Sequence, residues 1–253
     1  MKQLKQKVIG LIIILVSLFI FLSKRSDISN SISTVSRWEK FEIMVRDGVL
    51  KEQEGKKILE KIILLLDTQY RKKIKSTTTW TFPLEGYDYN VMDKNNFLPN
   101  IVYGPYGVKG YNFFDGNRHG GHPAYDIFIR DKNQDCLNDI TKLPVNILSM
   151  VDCVVLSTNS GWEKGSKIRG GNYIWCYSPS EKKFFYYAHL NQIFVSPGQI
   201  IKQGEKIGTV GRSGFLAEKE SSPTHLHLMV LEYKNGEMVP YDFYEKIKIR
   251  RKK

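Results

Sequence analysis

The chain has 253 residues, which is enough for one well-packed main domain and a smaller appendage. Lys and Arg number 38 against 26 Asp and Glu, so the formal net charge is +12 and the field at neutral pH attracts nucleic acid, anionic lipid or an acidic wall polymer. The three cysteines include no C-x-x-C pair, which excludes a zinc ribbon and a redox dithiol.

The N-terminal segment 1–23 is predicted to be a signal anchor or a signal peptide. An uncharged apolar run of 15 residues, 8–22, follows a lysine-rich start. This length suits a signal-peptide core and falls below the roughly 20 residues that usually cross a bilayer. Lys24 and Arg25 follow directly and no small-x-small cleavage site is present, which favours an uncleaved anchor in the membrane. Either alternative puts the remainder in the cell envelope, outside the cytoplasm, and removes nucleic acid as a partner.

Segment 24–78 is predicted to form a helical hairpin. Apolar residues recur there at helical spacing in two stripes separated by "DGVLKEQ". The stripes are Val35, Trp38, Phe41 and Val45, then Ile58, Leu59, Ile62, Leu65, Leu66 and Tyr70. We interpret the hairpin as a packing or spacer element between the membrane and the main domain.

Segment 79–245 is predicted to be a mainly β domain with an antiparallel sheet. Its short β-type runs, among them "GGNYIWCYS", "KKFFYYAHL" and "HLHLMVLEY", are separated by Gly, Pro, Asn or Ser clusters. The basic tail 246–253, "KIKIRRKK", is predicted to be a solvated end.

The loop "DKNQDCLND" does not fit a calcium site, although it begins with Asp131 and Asn133 at suitable spacing. Cys136 stands where the sharp turn needs Gly, and Lys142 stands where a bidentate Glu is required. In an oxidising compartment Cys136 and Cys153 could form a bridge. The alternative is that these residues and Cys176 are small buried apolar side chains.

The run "THLHLMV" is predicted to be a strand that presents His225 and His227 on one face. Alternate strand residues stand roughly 6 to 7 Å apart, so the two imidazoles cannot easily bind one ion together. One can bind a metal while the other stands beside it, as a zinc hydrolase requires.

The run "GGHPAYDIF" sets a different geometric problem. Four residues of straight strand would separate His122 from Asp126 by about 13 Å, whereas two ligands of one zinc ion lie about 2 Å from it. Pro123, preceded by two glycines, implies a bent lead-in to the strand that carries Asp126. His122 can therefore fold back over the start of that strand.

A fifth candidate is His189, near the end of the aromatic run "FFYYAHL". With His122, Asp126 and His227 on a metal, His189 and His225 would flank the open position and could orient water, donate a proton or stabilise an oxyanion. Each pattern alone is more typical of packed or solvent-facing residues.

In this order, "HPAYD", "YYAHL", "VSPGQIIKQGEKIGTVGRSG" and "THLHL" resemble the lysostaphin-type (LytM-type) zinc endopeptidases that cut the peptide part of peptidoglycan. The resemblance implies that His122, Asp126 and His227 bind one Zn²⁺ ion and that His189 and His225 act in catalysis. It also implies a substrate groove. Ala124 replaces a common Gly, and "FLAEKESSP" lengthens the link before H-x-H, which puts the substrate preference in doubt.

The resemblance implies an exported endopeptidase acting on peptidoglycan stems or cross-bridges. Two alternatives stay open: a non-catalytic wall-binding module that regulates other hydrolases, and a zinc protease acting on extracellular proteins. His119 is interpreted as a surface residue or a residue behind the ligands, and Tyr186, Tyr187 and Trp175 as core residues or groove walls. The sequence does not specify the oligomeric state.

Overall fold

The computed structural model describes residues 34–76, 79–100 and 110–248. The predicted apolar run 8–22 lies outside these ranges, so the expected anchor stays a prediction. Among the helices within these ranges, none has the length and apolar character needed to cross a bilayer.

Within the described residues, two α-helices precede the β-strands. Helix α1 covers residues 34–46, and helix α2 runs from Glu52 to Tyr70. Leu59, Ile62 and Leu66 recur at spacings of three and four and are all buried, so one stripe of α2 faces the core. The turn between the helices includes Gly48, whose φ of +69° is a conformation that glycine adopts without steric cost.

Ten strands form two antiparallel sheets. A seven-stranded sheet has the order β1-β9-β5-β4-β3-β7, with β10 also paired to β9, and a three-stranded sheet has the order β2-β8-β6. The prediction of a mainly antiparallel β fold is therefore confirmed. The strands are β1 Ala124–Phe128, β2 Asn146–Leu148, β3 Cys153–Asn159, β4 Tyr173–Ser178, β5 Lys183–Ala188, β6 Leu190–Ile193, β7 Ile200–Ile201, β8 Lys206–Val210, β9 His225–Lys234 and β10 Glu237–Pro240.

The inner face of the seven-stranded sheet packs against the three-stranded sheet. Leu226, Leu228 and Val230 of β9 are fully buried there, in the same apolar cluster as Ile147 of β2 and Ile207 of β8. Because side chains alternate along a strand, the other residues of β9 face the opposite side.

The outer face of the same sheet is covered by the two helices. The ring of Trp38 stacks on Phe184 of β5 at a centroid distance of 4.9 Å and meets Trp175 of β4 edge-on at 5.7 Å. Its indole Nε1 donates a hydrogen bond of 3.3 Å to Ser157 Oγ on β3. The predicted boundary between residues 78 and 79 therefore separates two segments that share one apolar core.

The C-terminal part of the chain also contributes to the core. A short helix, α3, runs from Tyr244 to Lys248, so it crosses the predicted start of the basic tail at residue 246. Ile247 is 4% exposed and lies with Phe243 in the cluster between the two sheets. Residues 249–253 lie outside the described ranges.

All three cysteines are free thiols, so the bridge between Cys136 and Cys153 that the sequence left open is absent. Cys153 and Cys176 are buried, and burial raises the pKa of the Cys176 thiol. The carboxylate of Asp131 accepts hydrogen bonds from the backbone of Asp135 and Cys136, at 3.1 and 2.8 Å. This loop is thus closed by hydrogen bonds within the protein.

Candidate functional site

The register of three neighbouring strands brings several candidate residues together. On β9, His227 stands opposite Asp126 of β1 on one side and Ala188 of β5 on the other. His189 follows Ala188 directly, and His225 lies two residues before His227 on the same face of the strand. Four of the five predicted residues are therefore assembled by antiparallel pairing at one edge of the outer face.

His122 reaches this group through a bent segment before β1. Its backbone pairs with Leu98, with hydrogen bonds of 2.8 Å in both directions, and Gly121 before it has a φ of +67°. A side chain at Gly121 would collide with the carbonyl of Pro99. The bend that the sequence predicted brings His122 Nε2 to 3.3 Å from Asp126 Oδ1.

Three side chains form a cluster that could hold a metal ion. One ligand atom each from His122, Asp126 and His227 lies within 4.8 Å of the others. His227 Nδ1 is 2.9 Å from Asp126 Oδ1, and two ligands of a tetrahedral zinc ion are expected about 3.3 Å apart.

The donor set of this cluster fits a cation. His122 Nε2 is buried and makes no hydrogen bond with acceptable geometry, so its lone pair has no partner within the described residues. The Nδ1–H of the same ring donates to the backbone carbonyl of Asn96 at 2.6 Å. This bond selects the tautomer that leaves Nε2 free to bind a metal.

The carboxyl of Asp126 stays ionised. Burial opposes its ionisation, but the adjacent imidazoles of His122 and His227 outweigh burial and hold its pKa well below the usual range. Burial lowers the pKa of His122, but the Asp126 carboxylate raises it by more, so the net shift is upward. For His227 burial dominates and lowers the pKa. The cluster therefore combines a half-buried anion with nitrogen donors, as a zinc site requires.

His189 and His225 stand beside the cluster, each held by one backbone carbonyl. Nδ1–H of His189 donates to Ser213 O at 2.8 Å, and Nδ1–H of His225 donates to Pro223 O at 2.7 Å. Their ring centroids are 4.9 Å apart. Burial, followed by the proximity of the other imidazoles, lowers the pKa of His189 well below its usual value, so this ring is neutral at pH 7 with Nε2 as an acceptor.

The backbone of His189 adopts a conformation that is rare for this residue type. Its φ is +65°, at the point where the chain leaves β5 of the large sheet and enters β6 of the small sheet. Such a conformation costs on the order of 1 kcal/mol and is found where function or topology requires it. A Cβ at Gly214 would lie 2.8 Å from His189 Nδ1, so Gly214 makes room for the ring.

A cavity of about 260 Å³ extends from the five candidate residues across the outer face of the sheet. Its lining also includes Glu42, Val45 and Arg46 of α1. Helix α1 therefore forms part of the wall of the cavity that contains the candidate site.

Aromatic residues and one further cation, Arg169, also line the cavity. The lining residues used below are Tyr111, His119, Arg169, Trp175 and Tyr186. Tyr187, which the sequence analysis grouped with Tyr186, packs in the core between the two sheets and does not line the cavity. Burial lowers the pKa of His119 to about 4, and its Nδ1 lies 3.0 Å from Gly120 O.

Sequence reasoning did not identify Glu42 or Arg169 as residues of the cavity wall. Glu42 lies four residues after Trp38, on the buried stripe of α1, and a carboxyl on an apolar stripe was a signal that could have been noticed. Arg169 belongs to no motif, and nothing in the sequence distinguished it from other basic residues.

Residues 141–240 match the model of peptidase family M23, which confirms the resemblance that the motifs indicated. The matched segment includes His189, His225 and His227, whereas His122 and Asp126 precede it. A comparison with curated protein sequences gives no match.

Among solved structures, the chain is similar to a zinc-containing peptidase from Vibrio cholerae, to lysostaphin from Staphylococcus simulans and to Csd3 from Helicobacter pylori. Sequence identities are 21%, 18% and 19%, and TM-scores are 0.41, 0.39 and 0.36. The alignments cover 64%, 69% and 64% of this chain but only 38%, 55% and 33% of the solved chains. This chain thus spans less than two thirds of the length of each.

Proposed function

We propose that this chain, whose residues 141–240 match peptidase family M23, is an exported zinc-dependent endopeptidase that hydrolyses peptide bonds in peptidoglycan stems or cross-bridges. The observation that carries the proposal is the close grouping of His122 Nε2, Asp126 Oδ1 and His227 Nδ1. His189 and His225 beside this group supply the further nitrogens that a hydrolase needs.

In this proposal His122, Asp126 and His227 hold one zinc ion. When bound, the ion supplies Lewis-acid polarisation of a peptide carbonyl and lowers the pKa of water at its open position. Two nitrogens and one carboxylate oxygen leave a fourth position free, which is the ligand count of catalytic rather than structural zinc sites.

In this proposal His189 and His225 transfer protons. Because Nδ1–H of His189 is committed to Ser213 O, its neutral ring offers Nε2 as an acceptor towards the cavity. His225, fixed by Pro223 O, has its Nε2 3.7 Å from Asp126 Oδ1 and so also directs this nitrogen towards the cluster. Either nitrogen can take a proton from water, and the imidazolium so formed can donate that proton to the developing oxyanion or the leaving amine.

The proposed location is the cell envelope, through the apolar run 8–22. The formal net charge of +12 would retain the protein on anionic envelope polymers. The cavity walls, with aromatic faces and a few polar groups, suit an extended peptide.

The test uses the full chain purified in detergent, with His227→Ala and His189→Ala. Bound zinc is measured by atomic absorption, and released peptides are measured by mass spectrometry after incubation with several purified wall types. We expect about one zinc ion per wild-type chain. His227→Ala should lose zinc and turnover, whereas His189→Ala should retain zinc and lose turnover by about 10² to 10⁴-fold.

Circular dichroism of each variant controls for folding. A wild-type chain that carried no zinc and released no peptide from any wall type would refute the enzymatic proposal. Cleavage of extracellular proteins with intact peptidoglycan would instead identify a different substrate for the same chemistry.

A further inference from the structure

One guanidinium in the cavity wall has no acidic partner. Nη1 of Arg169 donates to the backbone carbonyl of His119 at 3.0 Å. No Asp or Glu of the described residues forms an ion pair with it within 4.0 Å, and no carboxylate contributes to its pKa. Arg46, which lines the same cavity, is by contrast paired with Asp47 at 2.8 Å.

The position of Arg169 is held by its neighbours. Its backbone N–H donates to Asn117 Oδ1 at 3.0 Å, and Asn117 Nδ2 donates to Lys167 O at 2.7 Å. Gly170 fits against the hydroxyl of Tyr186, where any Cβ would collide. The loop before β4 therefore holds the backbone of Arg169 in place and restricts the positions available to its guanidinium.

The surroundings of Arg169 favour an anion. Burial lowers the pKa of its guanidinium, which means that the charge is partly removed from water without a protein counter-charge. Arg169 lines the same cavity as His122, Asp126 and His227, so its guanidinium lies in the wall beside the cluster. A guanidinium has five N–H donors in a planar fork that matches a carboxylate.

We infer that Arg169 binds a carboxylate of the peptide substrate beside the metal cluster and selects substrates that have one there. The inference rests on the proposed function for the nature of the substrate. It names a specificity-determining residue rather than a catalytic one, because the guanidinium lies in the cavity wall and outside the group of five candidate residues.

The test measures binding rather than turnover, with the full chain in detergent kept metal-free by a chelator. The probes are the peptide Ala-γ-D-Glu-Lys-D-Ala, its C-terminal amide, and the analogue in which the free carboxyl of the glutamyl residue is an amide. Isothermal calorimetry is done on wild type, Arg169→Gln and Arg118→Gln. Arg118 is exposed and lies outside the cavity, so Arg118→Gln is a control that removes the same charge as Arg169→Gln at another position.

We expect wild type and Arg118→Gln to bind the unmodified peptide at least about tenfold more tightly than one of the two amides, and Arg169→Gln to lose this difference. The amide that loses affinity identifies which carboxylate is recognised. Equal weakening of all three peptides in Arg169→Gln would mean that the residue only supports the wall, and it would overturn the inference. The inference would also be overturned if wild type bound all three peptides with equal affinity, or if it bound none of them.

The two proposals fail separately. A wild-type chain that discriminates between the peptides but releases nothing from walls when loaded with zinc would contradict the endopeptidase proposal alone. A chain that cleaves walls but binds the three metal-free probes equally would contradict the inference alone.

Discussion

The two faces of the seven-stranded sheet use the same strands for different purposes. On β9, Leu226 and Leu228 point into the core between the sheets, while His225 and His227 point to the outer face. Since a slip of one residue would exchange the two sets, burial of the leucines fixes the register in which His227 meets Asp126. The inner face thus stabilises the geometry that the outer face needs.

The outer face is itself divided. The hairpin covers β3, β4 and β5 with apolar side chains, whereas the cavity includes Asp126 of β1 and His227 of β9 and has Trp175 of β4 and Tyr186 of β5 in its wall. Glu42 lies at the border, on the helix but in the cavity wall. The predictions below separate the contributions of these regions.

The largest expected effect is on the metal cluster. Asp126→Asn keeps the shape of the side chain but removes the anion of the cluster, so we expect loss of bound zinc and a fall in turnover on the order of 10³-fold or more. Zinc content and peptide release check this. Asp115→Asn, which removes the same charge from an exposed position, should change neither quantity. Retention of zinc in Asp126→Asn would contradict the assignment of this carboxylate.

The next effect is on the hairpin. Trp38 is fully buried between α1 and the sheet, so Trp38→Ala should lower the free energy of unfolding by about 3 to 5 kcal/mol. Leu64 of α2 is 67% exposed, and Leu64→Ala should stay within about 0.5 kcal/mol of wild type. Urea denaturation measures both. Equal stability of the two variants would mean that the hairpin is not part of the cooperative core.

The smallest effect is a pH dependence from the border residue. Burial raises the pKa of Glu42 to about 7, against a hydrogen bond from Tyr173 and the charge of Arg46, while Asp47 and Glu39 act with burial. The folded state therefore keeps a proton that the unfolded state releases between the usual value of 4.5 and about 7. The free energy of unfolding falls as pH rises through this window, by on the order of 3 kcal/mol.

Glu42→Gln should remove this dependence, because the amide cannot ionise and can still accept from Tyr173. Urea denaturation of wild type and variant at about pH 5 and about pH 8 checks it, with the variant gaining relative stability at the higher pH. An identical pH dependence in the two proteins would show that Glu42 ionises in the folded state as it does in the unfolded state.

Much of the fold was predictable from local patterns. The alternation in "HLHLMV" predicted a strand, and Pro123 with its preceding glycines predicted the bend that brings His122 back to Asp126. The spacing of Trp38 and its neighbours predicted a helix with one buried face.

The rest depends on contacts between distant segments. The periodicity of α1 shows that one face is buried but not which surface buries it, so the position of the hairpin on the same face as the histidines could not be foreseen. The opposition of Asp126 and His227 is a matter of strand register, which adjacent residues do not specify. Arg169 becomes notable only in the structure, where no acidic group of the described residues forms an ion pair with it.

The packing of the hairpin has a consequence for biosynthesis. Trp38 leaves the ribosome early, but its partner Ser157 lies 119 residues later and the stacking ring of Phe184 later still. Until β3, β4 and β5 exist, the apolar stripes of both helices have no sheet to cover and are exposed to other chains. Once the sheet is complete it covers these stripes, and the chain becomes less prone to aggregate.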